Sequence, residues 1–160
     1  LYYIVAIPFI PITLVVVKFV SAYKGKQDKE AIFSFYNYIK KKIIILGLVS
    51  LPVIYVVAKL ASLSHYNPRP FVVGNFTPLI PHDDDNGFPS DHALILAAIA
   101  SALYPFNKKI GLLLWLITLA VGLSRVYVGV HHLSDIFGSV IIAVLISSLA
   151  RRLLNKRGMV

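Results

Sequence analysis

Apolar residues in this chain gather into five stretches, 1–20, 42–60, 89–106, 110–127 and 130–150. Each is near the roughly 20 residues that a helix needs to cross the hydrocarbon core of a bilayer. Charged or proline-rich segments separate them. With 58% of its 160 residues hydrophobic and only 14% charged, the chain is too apolar for a soluble globule and too patterned for a disordered one. The expected fold class is all-α, a polytopic transmembrane helical bundle forming one domain over residues 1–160. The turn Pro105–Lys109 and the junction near Gly129 make the last three spans antiparallel neighbours. The longest connection, 61–88, is exposed and irregular.

The charge balance sharpens this picture. Sixteen Lys and Arg against seven Asp and Glu give a net charge of +9, which in a soluble protein would raise the question of nucleic acid. Here the apolar runs redirect that charge to membrane topology, so the expected partner is the bilayer and not nucleic acid. Lys24, Lys26, Lys29, Lys40, Lys41, Lys42, Lys108, Lys109, Arg151, Arg152, Lys156 and Arg157 all fall on one side of a five-span zigzag. Cations in short loops stay cytoplasmic. Asp83, Asp84, Asp85, Asp91, Asp135, Arg69 and Arg125 fall on the other side, which is therefore expected to face outward. Leu1 opens inside an apolar run with no basic leader, which argues against a signal peptide. An even number of spans would put both termini in the cytoplasm, so a further N-terminal helix is expected to be missing from the five.

Two readings fit residues 28–42. Apolar Ile32, Phe35, Tyr36 and Ile39 among lysines suit an amphipathic helix on the inner leaflet. They suit equally an extended cytoplasmic end of the second span.

The chain has no cysteine, which excludes disulfides, thiolate zinc sites and thiol nucleophiles. Any chemistry must come from His, Asp, Ser, Lys or Arg. Such residues crowd at the outer ends of the spans, where an unpaired charge in hydrocarbon costs roughly 2.5–3.5 kcal/mol or more. Three clusters result: Asn67-Pro68-Arg69-Pro70-Phe71, Phe88-Pro89-Ser90-Asp91-His92, and Ser124-Arg125 followed by His131 and Asp135.

On a helix, His131 and Asp135 stand at i and i+4, so the carboxylate can accept one imidazole proton and leave the other nitrogen free. A neutral imidazole held in this way is a nucleophile or general base, and the carboxylate steadies the cation formed when it reacts. His132, three residues from Asp135, competes for the role. Arg125 and Arg69 offer guanidinium forks suited to phosphate oxygens. Pro89 suits the first position of a helix, which would aim the amides near Ser90 and Asp91 at an anion. His92, one turn inside, could protonate a leaving oxygen. Together these parts describe phosphoryl transfer through a phosphohistidine.

These residues carry a resemblance. The chain resembles the type 2 phosphatidic acid phosphatase superfamily, whose pattern is Lys-x6-Arg-Pro, then Pro-Ser-Gly-His, then Ser-Arg-x5-His-x3-Asp. The third motif is complete from Ser124 to Asp135. More narrowly, Pro68 to Phe71 together with His82, Asp85 and Phe88 to His92 resemble the signatures of undecaprenyl-pyrophosphate phosphatases. The resemblance implies a metal-independent phosphohydrolase with no cofactor, whose substrate is a polyprenyl pyrophosphate that loses its terminal phosphate at the outer face. Recycling of a cell-wall lipid carrier and bacitracin resistance are implied with it. By the same resemblance His131 is the nucleophile, Asp135 its orienting partner and His92 the acid. Arg69, Arg125, Ser90, Asp91, Ser124 and Lys59 are then the phosphate-binding set.

Two positions depart from the broad pattern. Asp91 replaces Gly, as in the narrower group, and Ser62 replaces Lys. Lys59 lies one turn deeper on about the same helix face as Ser62.

Plainer readings apply elsewhere. His65 is expected only to hydrogen-bond or sit in the headgroup zone, and His82 with Asp83–Asp85 to form a solvated loop rather than a metal site, because three adjacent aspartates cannot all point inward. Ser139, Ala143 and Ser147, spaced by four, suit close helix packing. Alternative functions are a phosphatidate or phosphatidylglycerophosphate phosphatase, or a non-catalytic lipid-binding or transport protein of the same fold.

Overall fold

A computed structural model of the chain describes residues 29–159 and divides into two compact units, Leu1–Ile45 and Leu46–Val160. The first expected span, 1–20, and the question of a further N-terminal helix lie outside the described residues. Five helices follow in order: α1, Lys29–Ser64; α2, Pro70–Val73; α3, Asp91–Leu103; α4, Lys108–Tyr127; and α5, Leu133–Lys156. In the first unit the described residues are the start of α1, where the Lys42 ammonium lies 4.2 Å above the Tyr38 ring one turn away. Residues 29–42 are thus the beginning of the helix that carries the second span, and no separate helix forms there.

Within the second unit, α3 is the central element. Its sequence is rich in alanine, and Ala93, Ala97, Ala98 and Ala100 are all buried. Small side chains let neighbouring backbones come close, which is how helices associate where the surroundings are as apolar as their own side chains. α3 accordingly packs along both α4 and α5, while α4 and α5 touch one another only over a short stretch. The core joins Ile54 and Ala58 of α1, Leu94, Ala97 and Ala98 of α3, and Ala143 of α5, with Trp115 of α4 packed against them. The stripe Ser139–Ala143–Ser147 is buried, as its spacing predicts. On the opposite face of α5, Phe137, Ile141, Leu145, Leu149 and Leu153 are exposed, and α4 exposes Leu112, Leu116, Leu119 and Leu123. So much outward apolar surface is a liability in water and suits lipid.

Among the described residues, three segments are long and apolar enough to cross a membrane: Lys40–Ser64, Lys108–Tyr127 and Leu133–Lys156. The third expected span, 89–106, is shorter than predicted. Helix α3 has 13 residues, about 20 Å at 1.5 Å per residue, against a hydrocarbon core of about 30 Å. Its start is set by Ser90, which is extended (φ −76°, ψ 115°) and serves as N-cap, so Pro89 precedes the helix instead of opening it. At the other end Pro105, which has no N–H to donate, follows Tyr104. Asn107 then caps α4, its side-chain oxygen accepting from the amides of Lys109 and Ile110. Between α4 and α5 the chain turns at Gly129, whose φ of +81° is ordinary only for glycine.

Candidate active site

One pocket of about 390 Å³ collects most of the residues singled out by the sequence. One wall is a face of α1, where Tyr55, Ala58, Lys59 and Ser62 recur at helical spacing. The loop supplies Arg69, His82 and Asp85, the start of α3 supplies Asp91 and His92, and the α4–α5 turn supplies His131.

The loop is organised by residues 67–69 running antiparallel to 86–88. Pro68 bridges Asn86, and the Gly87 amide donates to the Asn67 carbonyl at 2.9 Å. The hub is Asn86. Its side-chain oxygen accepts from the amides of Asn67 (2.9 Å) and Phe88 (3.0 Å), and its nitrogen donates to the Ser62 carbonyl (2.8 Å), the Ser62 hydroxyl (3.1 Å) and the His65 carbonyl (3.0 Å). One amide thereby ties the end of α1 to both arms of the loop. Its backbone carbonyl also faces Arg69 Nη2 at 3.5 Å.

Arg69 is 5% exposed and aimed by three further contacts. Nε donates to Asp85 Oδ1 at 2.8 Å, and Nη1 donates to the Val130 carbonyl at 2.8 Å and approaches His131 Nε2 at 3.4 Å. The partners of the ring assign the tautomer of a neutral His131. A guanidinium has only donors, so Nε2 must present its lone pair, and the proton is on Nδ1. Nδ1 donates to the Gly87 carbonyl at 2.9 Å, with Asp135 Oδ2 at 3.5 Å. His131 is 3% exposed, with its free nitrogen directed at an arginine-lined pocket.

The geometry differs from the sequence expectation in how His131 and Asp135 meet. They do not share a helix face, because His131 precedes the N-cap, His132, and lies in the turn. Asp135, on the first turn of α5, reaches back to accept the His132 amide at 2.8 Å, and its other oxygen accepts from Asn67 Nδ2 at 2.7 Å. It is 0% exposed. Carboxylate and imidazole are brought together by a helix cap, and the shorter bond to the ring comes from Gly87. The His132 ring goes elsewhere, with Nε2 at 3.0 Å from the Pro68 carbonyl.

Among the other expected phosphate ligands, Lys59 and Asp91 are exposed and line the pocket. Ser90 is fully buried, its hydroxyl without a hydrogen-bond partner among the described residues. Its amide points at the Asp135 carbonyl at 3.5 Å, so it is not a free anion donor as the sequence suggested. The Ser90 carbonyl is fixed by the Ser139 hydroxyl at 2.9 Å. His92 is the second residue of α3, not one turn inside, and lies exposed at the rim because the helix begins two residues later than expected. Arg125 is half-buried, with Nε lacking a partner among the described residues, and its charge reaches both His82 and His92. Ser124 is not brought in. It is exposed, and its hydroxyl donates to the Val121 carbonyl of its own helix at 2.7 Å.

His82 is more than a solvated loop residue. It lines the pocket with its ring edge-on to His131, centroids 6.3 Å apart. Burial holds its imidazole below the usual range, and the Arg69 and Arg125 charges push the same way. The sequence analysis also missed Asn86 and the Gly87 carbonyl. The available signal was the Asn86-Gly87 pair, a turn dipeptide placed just before a helix start.

Residues 40–159 match the PAP2 superfamily. The chain belongs to this superfamily. It is 42% identical over 94 residues to undecaprenyl-diphosphatase BcrC of Bacillus subtilis (strain 168), covering 59% of this chain and 49% of that protein. It is 34% identical over 103 residues to bacitracin transport permease protein BcrC of Bacillus licheniformis, covering 64% of this chain and 51% of that protein. The chain thus spans about half the length of these curated relatives. Its fold is shared with the crystal structure of Aquifex aeolicus LpxE at a TM-score of 0.56 and 20% identity, covering 87% of this chain and 86% of that one. The matched residues include Arg69-Pro70, Pro89-Ser90-Asp91-His92 and the segment from Ser124 to Asp135.

Proposed function

We propose that this PAP2 protein hydrolyses the terminal phosphate of a polyprenyl pyrophosphate, undecaprenyl pyrophosphate above all, through a phosphohistidine on His131. One observation carries the reading: His131 presents an unprotonated Nε2 to a pocket lined by Arg69, while Nδ1–H is held by Gly87 and Asp135. Nε2 attacks the terminal phosphorus, and the N–P bond forms as the P–O bond to the lipid monophosphate breaks. His92 gives its proton to the departing oxygen. His92 then takes a proton from water, whose oxygen attacks phosphorus, breaks the N–P bond and releases inorganic phosphate. Asp135 steadies the imidazolium in between. Arg69, Arg125, the Ser90 hydroxyl, Lys59 and the α3 N-terminus offset the charge on the transferring group. The relative named undecaprenyl-diphosphatase supports the substrate class.

The site faces outward. The pocket lies at the ends of α3 and α5 away from Lys108, Lys109, Arg151, Arg152, Lys156 and Arg157, and cations in short loops stay cytoplasmic. A second reading, a lipid-binding protein without turnover, draws on Ser62. The motif lysine is absent there, and the serine hydroxyl is engaged by Asn86.

The test is phosphate release from detergent-solubilised undecaprenyl pyrophosphate in the presence of EDTA, comparing the chain with His131→Ala. Turnover that disappears in the variant is expected. Loss of turnover on adding EDTA would overturn the metal-free mechanism. No turnover by a folded wild-type sample would favour the binding reading.

A further inference from the structure

At the opposite end of the bundle from His131, a second cavity of about 440 Å³ lies among α3, α4 and α5. Ser101 comes from the last turn of α3 and Tyr104 from its C-cap, Lys108 and Trp115 from the first three turns of α4, and Ser148 and Arg151 from the last three turns of α5. Three helix faces therefore bring two cations, two hydroxyls and two aromatic rings together.

Neither Lys108 nor Arg151 makes an ion pair among the described residues. The sequence has no Asp or Glu between Asp91 and Asp135 or after Asp135, and both of these start their helices at the far end. The Ser101 hydroxyl is buried without a hydrogen-bond partner among the described residues, a state that costs about 1–3 kcal/mol unless a ligand or water supplies one. Beside this polar cluster the surface is apolar, with Leu112 of α4 and Leu145 and Leu149 of α5 exposed. Tyr and Trp, apolar in body with a polar handle, suit the level of lipid headgroups.

We propose that this cavity is a binding site for an anionic phospholipid of the cytoplasmic leaflet. Its phosphate sits between Lys108 and Arg151, the serine hydroxyls reach the headgroup, and the acyl chains run along the exposed leucines. A free phosphate would meet the same cations and leave the adjoining apolar surface without a partner. The site is independent of the chemistry at the other end, and its assignment stands whichever lipid is hydrolysed there.

Trp115 is the single tryptophan in the chain and lines the cavity, so its fluorescence reports occupancy directly. The full chain is reconstituted in phosphatidylcholine vesicles containing a minor fraction of phosphatidylglycerol, with bromine, which quenches indole, on the acyl chains of one lipid or the other. The brominated anionic lipid is expected to reach half-maximal quenching at a mole fraction about thirtyfold lower than brominated phosphatidylcholine, the attraction expected of two cations near a surface. Lys108→Gln with Arg151→Gln should abolish that preference, and Lys108→Arg with Arg151→Lys should keep it. Equal quenching by the two lipids overturns the site, as does a preference that survives neutralisation. Relief of quenching by inorganic phosphate but not by chloride at equal ionic strength overturns the lipid in favour of the free ion. Should the neutral variant fail to fold, the lipid comparison on the unaltered chain and the charge-preserving variant still decide.

Discussion

The two ends of the α3–α4–α5 bundle hold the same kinds of side chain and treat them in opposite ways. Around His131 the polar groups are mostly bonded to one another: Arg69 to Asp85 and Val130, Asp135 to Asn67 and His132, Asn86 to five groups on three segments. Around Arg151 the described residues form no ion pair, and a buried hydroxyl has no hydrogen-bond partner among them. A cation held by several bonds keeps one geometry, as in-line displacement at phosphorus requires. A cation with none follows whatever anion arrives. The difference separates a place built for positioning from a place built for attraction.

The comparison breaks first at His131. Turnover of His131→Ala should fall by about a thousandfold or more, while His132→Ala, whose ring faces the Pro68 carbonyl, should lose less than about tenfold. Equal losses in a phosphate-release assay would erase the distinction between the two imidazoles.

Asn86→Ala probes whether the network itself matters. It leaves the Asn67 and Phe88 amides without their acceptor, and a loss of about tenfold to a hundredfold in turnover is expected, with roughly 2–4 kcal/mol of stability. An unchanged thermal midpoint in detergent would mean that the hub is dispensable. Gly138→Ala should cost about 1–3 kcal/mol, because overpacking displaces a neighbour. Here a Cβ would collide with the Phe88 ring. Thermal unfolding followed by circular dichroism measures it. Lys59→Ala sharpens the contrast from within the pocket, since this exposed lysine attracts without being fixed. KM should rise about three- to tenfold with kcat nearly constant, and a fall in kcat instead would give Lys59 a role in the displacement. Ser124→Ala should be the smallest change, within about twofold in turnover and roughly 0.5 kcal/mol in stability.

The sequence announced the helices through their apolar lengths and the site through residues that would be costly in lipid without a purpose. It placed Arg69, His92, His131 and Asp135 in one neighbourhood because each stands at the same end of a span. It could not show how they meet. His131 lies outside the helix that carries Asp135, and its ring is held chiefly by a carbonyl, which any residue at position 87 would also carry. The third span, expected over 89–106, is shorter as α3 for a related reason. Hydropathy runs on through Pro89 and Pro105, whereas helix ends are set by missing amide donors and by caps. Asn86 was hidden because an asparagine in a loop reads as solvated until the chain folds five partners around it.

The double employment of Asp135 has a consequence for how such a protein can change over generations. The same carboxylate that faces the imidazole also closes the first turn of α5 and anchors Asn67 from a distant loop. A lineage drifting away from catalysis could discard His131 and keep its fold, but discarding Asp135 would unsettle a helix start and a loop in one step. Descendants that retain only binding should therefore carry the aspartate as a relic long after the histidine has gone.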